Sequence, residues 1–278
     1  MMLEEITFEK DTELLYGEPF RKELKMNFKN ATIPTSKDVF FRAKQKEIIE
    51  RYEAARFFLI ATARNDWIQE ETNRNETIQK YSKLKHRAYF YEAALFYYNT
   101  VVDLSWVLCY ISAEFAIYKG EQSVSFDEVM TIEEAYELIR KAEKLVKNPV
   151  SPENPFDYLK KMFSEISKGI DMVIEFWTEF KETSIRKHYN FFKHKGSFLY
   201  SEIKQLCPNR LFNFYSVNET KGKNKIVSNL NDVRCESSLE DSISNLQKFD
   251  DKKLFPYIYN LFSELEKVIK PSPFVLLF

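Results

Sequence analysis

The segment 183–196, with the sequence TSIRKHYNFFKHKG, holds two of the three histidines of the chain and is rich in lysine and arginine. If this segment is helical, Arg186, Asn190 and His194 recur every four residues and form one slanted polar ridge. An arginine can neutralise a phosphate, an amide can orient it, and an imidazole can serve as general acid or base near neutral pH. The spacing therefore predicts a phosphodiester site, with Arg186, Asn190 and His194 as its candidate catalytic residues.

The charge around this ridge favours a polyanion as ligand. The segment 183–225 contains nine Lys/Arg and two Glu, a formal charge of +7, whereas the whole chain carries −1. RNA fits such a ridge without a metal, because its own 2′-OH can act as the nucleophile. The candidate nucleic-acid contacts beside the ridge are Lys187, His188, Lys193 and Lys195. Two structural explanations stay open: clustered lysines often form a solvated face, and cations at a helix end complement its dipole.

The stretch from Arg186 to Gly196, RKHYNFFKHKG, resembles the R-x4–6-H motif of the HEPN superfamily, and YYNTVVDL at 97–104 is similar to the central helix of that family. The resemblance covers roughly residues 36–196. It implies a bundle of four or five helices with the motif late in the bundle. It also implies a homodimer with two motifs facing each other across a cleft, and either a metal-independent endoribonuclease or an inactive RNA-binding or dimerisation module.

The motif departs from the family pattern in its spacing. Seven residues separate Arg186 from His194, one more than the usual maximum, and six separate them only if Lys187 takes the place of the arginine. A lysine keeps the charge but lacks the bidentate fork of a guanidinium. The spacing therefore favours binding over cleavage.

The composition predicts an all-α protein. The chain of 278 residues has 25 Phe and 16 Tyr but only five Gly. Few glycines leave few left-handed turns for hairpins and favour long helices, whose interhelical layers the aromatic rings would fill. We expect an up-and-down, HEPN-like helical bundle with a C-terminal helical extension and one short β-hairpin.

Apolar residues at helical spacing locate the elements of this bundle. The expected helices span 35–71, 77–118, 131–146, 155–196 and 238–269, and the hairpin would pair 211–217 with 226–230. The second helix is apolar on nearly every face and should be the spine of the fold. The fourth is expected to run unbroken into the ridge and to stop at Gly196, and the last to break near Asp250. The predicted parts of the chain are a lead-in over 1–34, the bundle over 35–200 and an extension over 201–278 packed on the bundle.

Other chemistries find no support in the sequence. No Glu-x-x-His occurs, and His188 and His194 would lie on different helix faces, so no metal is expected. No G-x-S-x-G, P-loop or G-x-G-x-x-G motif occurs, so no cofactor is expected. The three cysteines have no CxxC spacing, and Cys109, in an apolar stretch, is expected in the core.

The chain is also expected to be cytoplasmic and without membrane contact. Its N-terminus lacks the apolar region of a signal peptide. The most apolar region, 88–118, contains Glu92 and Asp103, and none of its uncharged runs exceeds ten residues, which is too short to span a bilayer. We expect these two carboxylates to form hydrogen bonds across the bundle or to point outward.

The leading hypothesis is a HEPN-like cytoplasmic homodimer that binds RNA or another polyanion through the Arg186/Asn190/His194 ridge. If it is an enzyme, it is a metal-independent endoribonuclease. The alternative is a non-enzymatic helical module for dimerisation or protein interaction, with no role in nucleic-acid binding. The aromatic excess and the apolar tail 274–278 favour this alternative.

Overall fold

The computed structural model of the chain describes residues 36–64, 75–112, 160–161, 163–206, 213–218, 223–229 and 235–268. Within these residues the protein is an all-α helical bundle with two small pairs of strands, which confirms the predicted fold class. The predicted lead-in over 1–34, the helix over 131–146 and the apolar tail over 274–278 lie outside the described residues.

Two long helices, α1 (Ser36–Ala61) and α2 (Glu76–Ser112), pack along each other and form the centre of the bundle. α2 is buried along most of its C-terminal half, which confirms the predicted spine. Among the described helices, α2 alone has the length and hydropathy to cross a membrane, and 72% of its most apolar window is buried inside the protein.

α1 ends at Ala61, before the predicted end near residue 71. The Thr62 hydroxyl donates a hydrogen bond to the Leu59 carbonyl at 2.6 Å, which closes the last turn. Nε of Arg87, on α2, then donates to the Thr62 carbonyl at 2.8 Å. The end of α1 is thus fixed by a contact with α2 that periodicity in α1 alone does not reveal.

The prediction of one unbroken helix over 155–196 is wrong. The chain forms α3 (Ser167–Phe180) and α4 (Ser184–Lys195), separated by a turn. The hydroxyl of Thr183 donates to the Phe180 carbonyl at 2.7 Å and accepts the backbone N–H of Arg186 at 3.2 Å. One side chain therefore closes α3 and caps the start of α4. α4 ends before Gly196, which has a φ of 112° and confirms the predicted stop.

Two small pairs of strands follow α4. The elements in order are β1 (Leu199–Tyr200), α5 (Ser201–Leu206), β2 (Asn213–Asn218), β3 (Lys223–Asn229) and β4 (Glu236–Ser237). β2 and β3 are antiparallel, which confirms the predicted hairpin. β1 pairs with β4 in parallel, a contact that the sequence does not predict because the two strands have only two residues each.

The C-terminal helices are α6 (Leu239–Phe249) and α7 (Phe255–Leu265), joined by a π-helical turn over Asp250–Leu254. The predicted break near Asp250 is therefore a change of helix type. Pro256, in the first turn of α7, has no N–H to donate, and a wider turn before it relieves that loss. α7 packs on α3, where the rings of Tyr257 and Phe176 stack at 3.8 Å.

Candidate nucleic-acid interface

α4 presents a basic face without a single acidic residue of its own. Its sequence, SIRKHYNFFKHK, contains four Lys/Arg and two His. Ile185 and Tyr189 bury the opposite side of the helix against the bundle. The exposed side chains of α4 include Lys187, Asn190, Lys193, His194 and Lys195. All of the predicted site residues lie within α4, which confirms that they are on one helix.

Arg186 does not share this exposure, because its guanidinium turns toward α2. Nη1 of Arg186 donates to Oδ1 of Asn99 at 3.0 Å and to Oδ1 of Asp103 at 3.4 Å. Only 16% of the Arg186 side chain is exposed, whereas the Asp103 side chain is 48% exposed. Asp103 thus offsets the charge of Arg186 at the edge of the basic face.

Three aromatic rings surround the same guanidinium. Its Cζ lies 4.9 Å from the ring centroid of Trp177, 5.2 Å from that of Tyr189 and 5.8 Å from that of Phe180. A planar guanidinium stacks favourably on such rings because it is weakly hydrated and delocalised. Arg186 is therefore held in one position by α2, α3 and its own helix.

His188 is also turned inward. Its Nδ1 lies 3.1 Å from the hydroxyl oxygen of Tyr91, and its ring centroid lies 4.7 Å from that of Phe198. Burial lowers the pKa of His188 because the charged imidazolium would lose solvation. His188, which the sequence predicts as a nucleic-acid contact, therefore faces the bundle, whereas the lysines of α4 face solvent.

The predicted ridge is divided in the folded chain. Arg186 and His194 are eight residues apart, about 12 Å along the helix axis. The Arg186 guanidinium faces α2, whereas Asn190 and His194 are exposed. Lys187 is exposed as well, with its Nζ 3.5 Å from the carboxylate of Glu182. The arrangement can attract and hold an anionic backbone, but it does not place an arginine and an imidazole on one phosphate within this chain.

Both carboxylates singled out on α2 form contacts across the bundle, as predicted. Asp103 pairs with Arg186, and Glu92 accepts a hydrogen bond from the Tyr200 hydroxyl at 3.1 Å. Asn99, which binds Arg186 more closely, was not predicted. The sequence did contain a signal for it, because Asn99 and Asp103 are four residues apart in the apolar second half of α2 and so share a face.

A second polar cluster lies in the core, away from α4. The Tyr52 hydroxyl donates to Oδ1 of Asp250 at 2.6 Å, and Nε of Arg56 lies 3.4 Å from Oδ2. Burial raises the pKa of Asp250, although Arg56 and Tyr52 oppose the shift.

Cys109 is fully buried, as predicted, and burial raises the pKa of its thiol. Within the described residues, no three His, Cys, Asp or Glu side chains are grouped so as to hold a metal ion.

Comparison with known proteins assigns no family to the chain. No family model, no curated protein and no solved structure matches it. Function is therefore inferred from the side chains of α4 and their surroundings.

Proposed function

We propose that the protein binds RNA through the exposed face of α4. The observation that carries this proposal is a helix with three exposed lysines, Lys187, Lys193 and Lys195, and no acidic residue of its own. Exposed lysines neutralise phosphates and release counterions, which supplies most of the free energy of sequence-independent binding to nucleic acid. The HEPN resemblance of the same helix supports RNA as the polyanion.

Binding without cleavage is favoured by the position of Arg186. Cleavage by the predicted set requires a cation and an imidazole at the same phosphate. Arg186 is instead bonded to Asn99 and Asp103, and His194 lies two turns further along the helix.

We include the homodimer in the proposal, because a second α4 would extend the basic surface. Sedimentation equilibrium measures that state directly.

Fluorescence anisotropy with a labelled single-stranded RNA tests the binding proposal. We expect a variant with Lys187→Ala, Lys193→Ala and Lys195→Ala to bind more weakly than the wild type. Removing three phosphate contacts should also make the negative slope of log K against log salt concentration shallower by about 2. The three lysines are better targets than Arg186, because substituting Arg186 also removes packing contacts with α2 and α3.

A matched control is available elsewhere in the described part of the chain. Lys46, Lys168 and Lys267 expose 62%, 70% and 63% of their side chains, and replacing all three by alanine changes the net charge equally. This control should retain the wild-type salt slope. Equal losses in the two triple variants would show that net charge, and not the face of α4, governs affinity, and the proposal would then be wrong.

Cleavage is tested separately on a denaturing gel, with RNA incubated in the presence of a chelator. We expect the RNA to stay intact. A product that the wild type forms and His194→Ala does not would establish a metal-independent endoribonuclease and contradict binding without cleavage.

A further inference from the structure

Three large apolar side chains are clearly exposed within the described residues, and all three belong to α2. They are Ile78, Tyr89 and Phe96, with 43%, 56% and 47% of their surface exposed. Tyr89 and Phe96 are seven residues apart, so they point in nearly the same direction about 10 Å from each other along the axis. About half of the surface of each of these two residues is therefore open to solvent.

A lysine lies beside the ring of Tyr89, and a second lysine lies beside the ring that Phe96 contacts. Nζ of Lys85 is 5.8 Å from the ring centroid of Tyr89. Phe96 lies 6.3 Å from the ring of Tyr189 on α4, and Nζ of Lys193 is 5.8 Å from that same tyrosine ring. Phe96 therefore contacts α4 at Tyr189, next to Lys193 of the basic face, and Tyr89 is accompanied by Lys85 of its own helix.

We infer that Tyr89 and Phe96 stack on unpaired bases, so that the protein selects single-stranded RNA over duplex RNA. The inference rests on the proposed function, because the lysines of α4 would hold the phosphates of the same strand. Base–aromatic stacking tolerates any sequence, since every base has a π face, and bases are free to stack in this way only when they are unpaired.

A second copy of the chain fits this surface less well than a nucleic-acid strand does. The three exposed side chains together offer about 300 Å², whereas a stable interface buries about 800 Å² on each partner. Lys85 also lies between Ile78 and Tyr89 along the helix, and an interface core is depleted of such charges. An anionic strand, in contrast, gains from the lysines beside the rings.

The test compares three ligands by fluorescence anisotropy: a 12-nucleotide single-stranded RNA, the same RNA as a duplex, and a 12-unit abasic phosphodiester strand. Tyr89→Gln and Phe96→Gln should each weaken binding of the single strand about tenfold, or about 1.4 kcal/mol. Binding of the duplex and of the abasic strand should not change. The salt slope should also stay at its wild-type value, because neither variant removes a charge.

Ile78→Gln is the matched control, because Ile78 is exposed on the same helix but has no ring. It should bind all three ligands as the wild type does. Tyr89→Leu and Phe96→Leu keep an apolar side chain and should lose affinity as the glutamine variants do. They replace any glutamine variant that circular dichroism shows to be unfolded.

Distinct outcomes overturn the inference. If single-stranded RNA binds equally well to the wild type and to the ring variants, stacking is wrong and the proposed function stands. If none of the three ligands binds the wild type, both the stacking inference and the proposed function are wrong. An equal loss in Ile78→Gln would indicate a general apolar contact. A ring variant that changes the sedimentation mass from dimer to monomer would identify the surface as a self-association face.

Discussion

Nη1 of Arg186 lies 3.0 Å from Oδ1 of Asn99, an amide that is fully buried in the middle of α2. The amide nitrogen of Asn99 in turn donates to the Leu95 carbonyl at 2.8 Å. The guanidinium therefore ties α4 to the central helix of the bundle. Arg186, which the spacing predicts as a catalytic residue, therefore also contributes to the packing of the bundle.

Arg186→Ala should lower the free energy of unfolding by about 2–3 kcal/mol. The variant leaves the buried Oδ1 of Asn99 without its donor and removes the guanidinium from the rings of Trp177 and Tyr189. Arg186→Lys should lose less, because it keeps the charge while losing the planar fork. Urea unfolding followed by circular dichroism measures both variants.

The neighbouring residue supplies the control for this prediction. Lys187 is 63% exposed, and its Nζ forms a 3.5 Å ion pair with Glu182, whose side chain is 70% exposed. Lys187→Ala should change the free energy of unfolding by no more than about 0.5 kcal/mol. If Arg186→Ala were as mild as Lys187→Ala, the guanidinium would contribute nothing measurable to the fold.

His188 should make the protein less stable as the pH falls below neutrality. Burial lowers the pKa of His188 in the folded chain, so the unfolded chain binds its proton more readily. The stabilisation is fully present above the ordinary histidine pKa of about 6.5 and is lost progressively as the pH falls from that value through the lowered pKa of the folded chain. Urea unfolding between pH 7.5 and 5.5 should therefore show a steeper loss for the wild type than for His188→Gln. Equal slopes, or a His188 resonance that titrates above 6.5, would contradict this account.

The helical class, the buried spine and the end of α4 at Gly196 follow from the sequence because each depends on local pattern. Few glycines and a 3.6-residue apolar period predict helices wherever they occur. The break between α3 and α4 was missed although Thr183 is a good N-cap residue. An apolar stripe on both sides of a turn imitates one continuous helix, and only the hydroxyl of Thr183 marks the boundary.

The candidate site was predictable in composition but not in orientation. Spacing placed Arg186, Asn190 and His194 on one helix, which is correct. Which of them faces the bundle depends on Asn99 and Asp103, more than 80 positions earlier in the chain. The exposure of Tyr89 and Phe96 was likewise not predictable, because the sequence of α2 is apolar on nearly every face and does not show which face stays uncovered. Periodicity within one helix contains no information about which neighbours cover it.

Gly169 sets the distance between α3 and α7, and Gly169→Ala should destabilise the protein. A Cβ at this position would lie 2.6 Å from Cδ2 of Leu265, a residue that is fully buried in the core. The overlap should cost about 1–3 kcal/mol, more than the gain of about 1 kcal/mol in helix propensity. Urea unfolding of Gly169→Ala, of Leu265→Ala and of the double variant measures the coupling. The double variant should be more stable than the sum of the single losses implies, whereas strict additivity would show that the two side chains do not meet.

The buried carboxyl of Asp250 should weaken the fold as the pH rises. Its pKa is raised by burial, against the opposing effects of Arg56 and of the hydrogen bond from Tyr52. Between the ordinary aspartate pKa of about 3.9 and the raised value, the folded chain binds more protons than the unfolded chain. The contribution of Asp250 to stability is therefore present below the ordinary pKa and is lost as the pH rises through the raised one.

Asp250→Asn removes this titration and keeps an oxygen that can accept the Tyr52 hydrogen bond. The free energy of unfolding of the variant minus that of the wild type should therefore increase as the pH rises from 3 to 7, which urea unfolding at each pH measures. The subtraction cancels the titration of all other groups that the substitution leaves unchanged. A difference that falls with rising pH would mean that Arg56, with its Nε 3.4 Å from the carboxylate, outweighs burial and holds Asp250 ionised in the core.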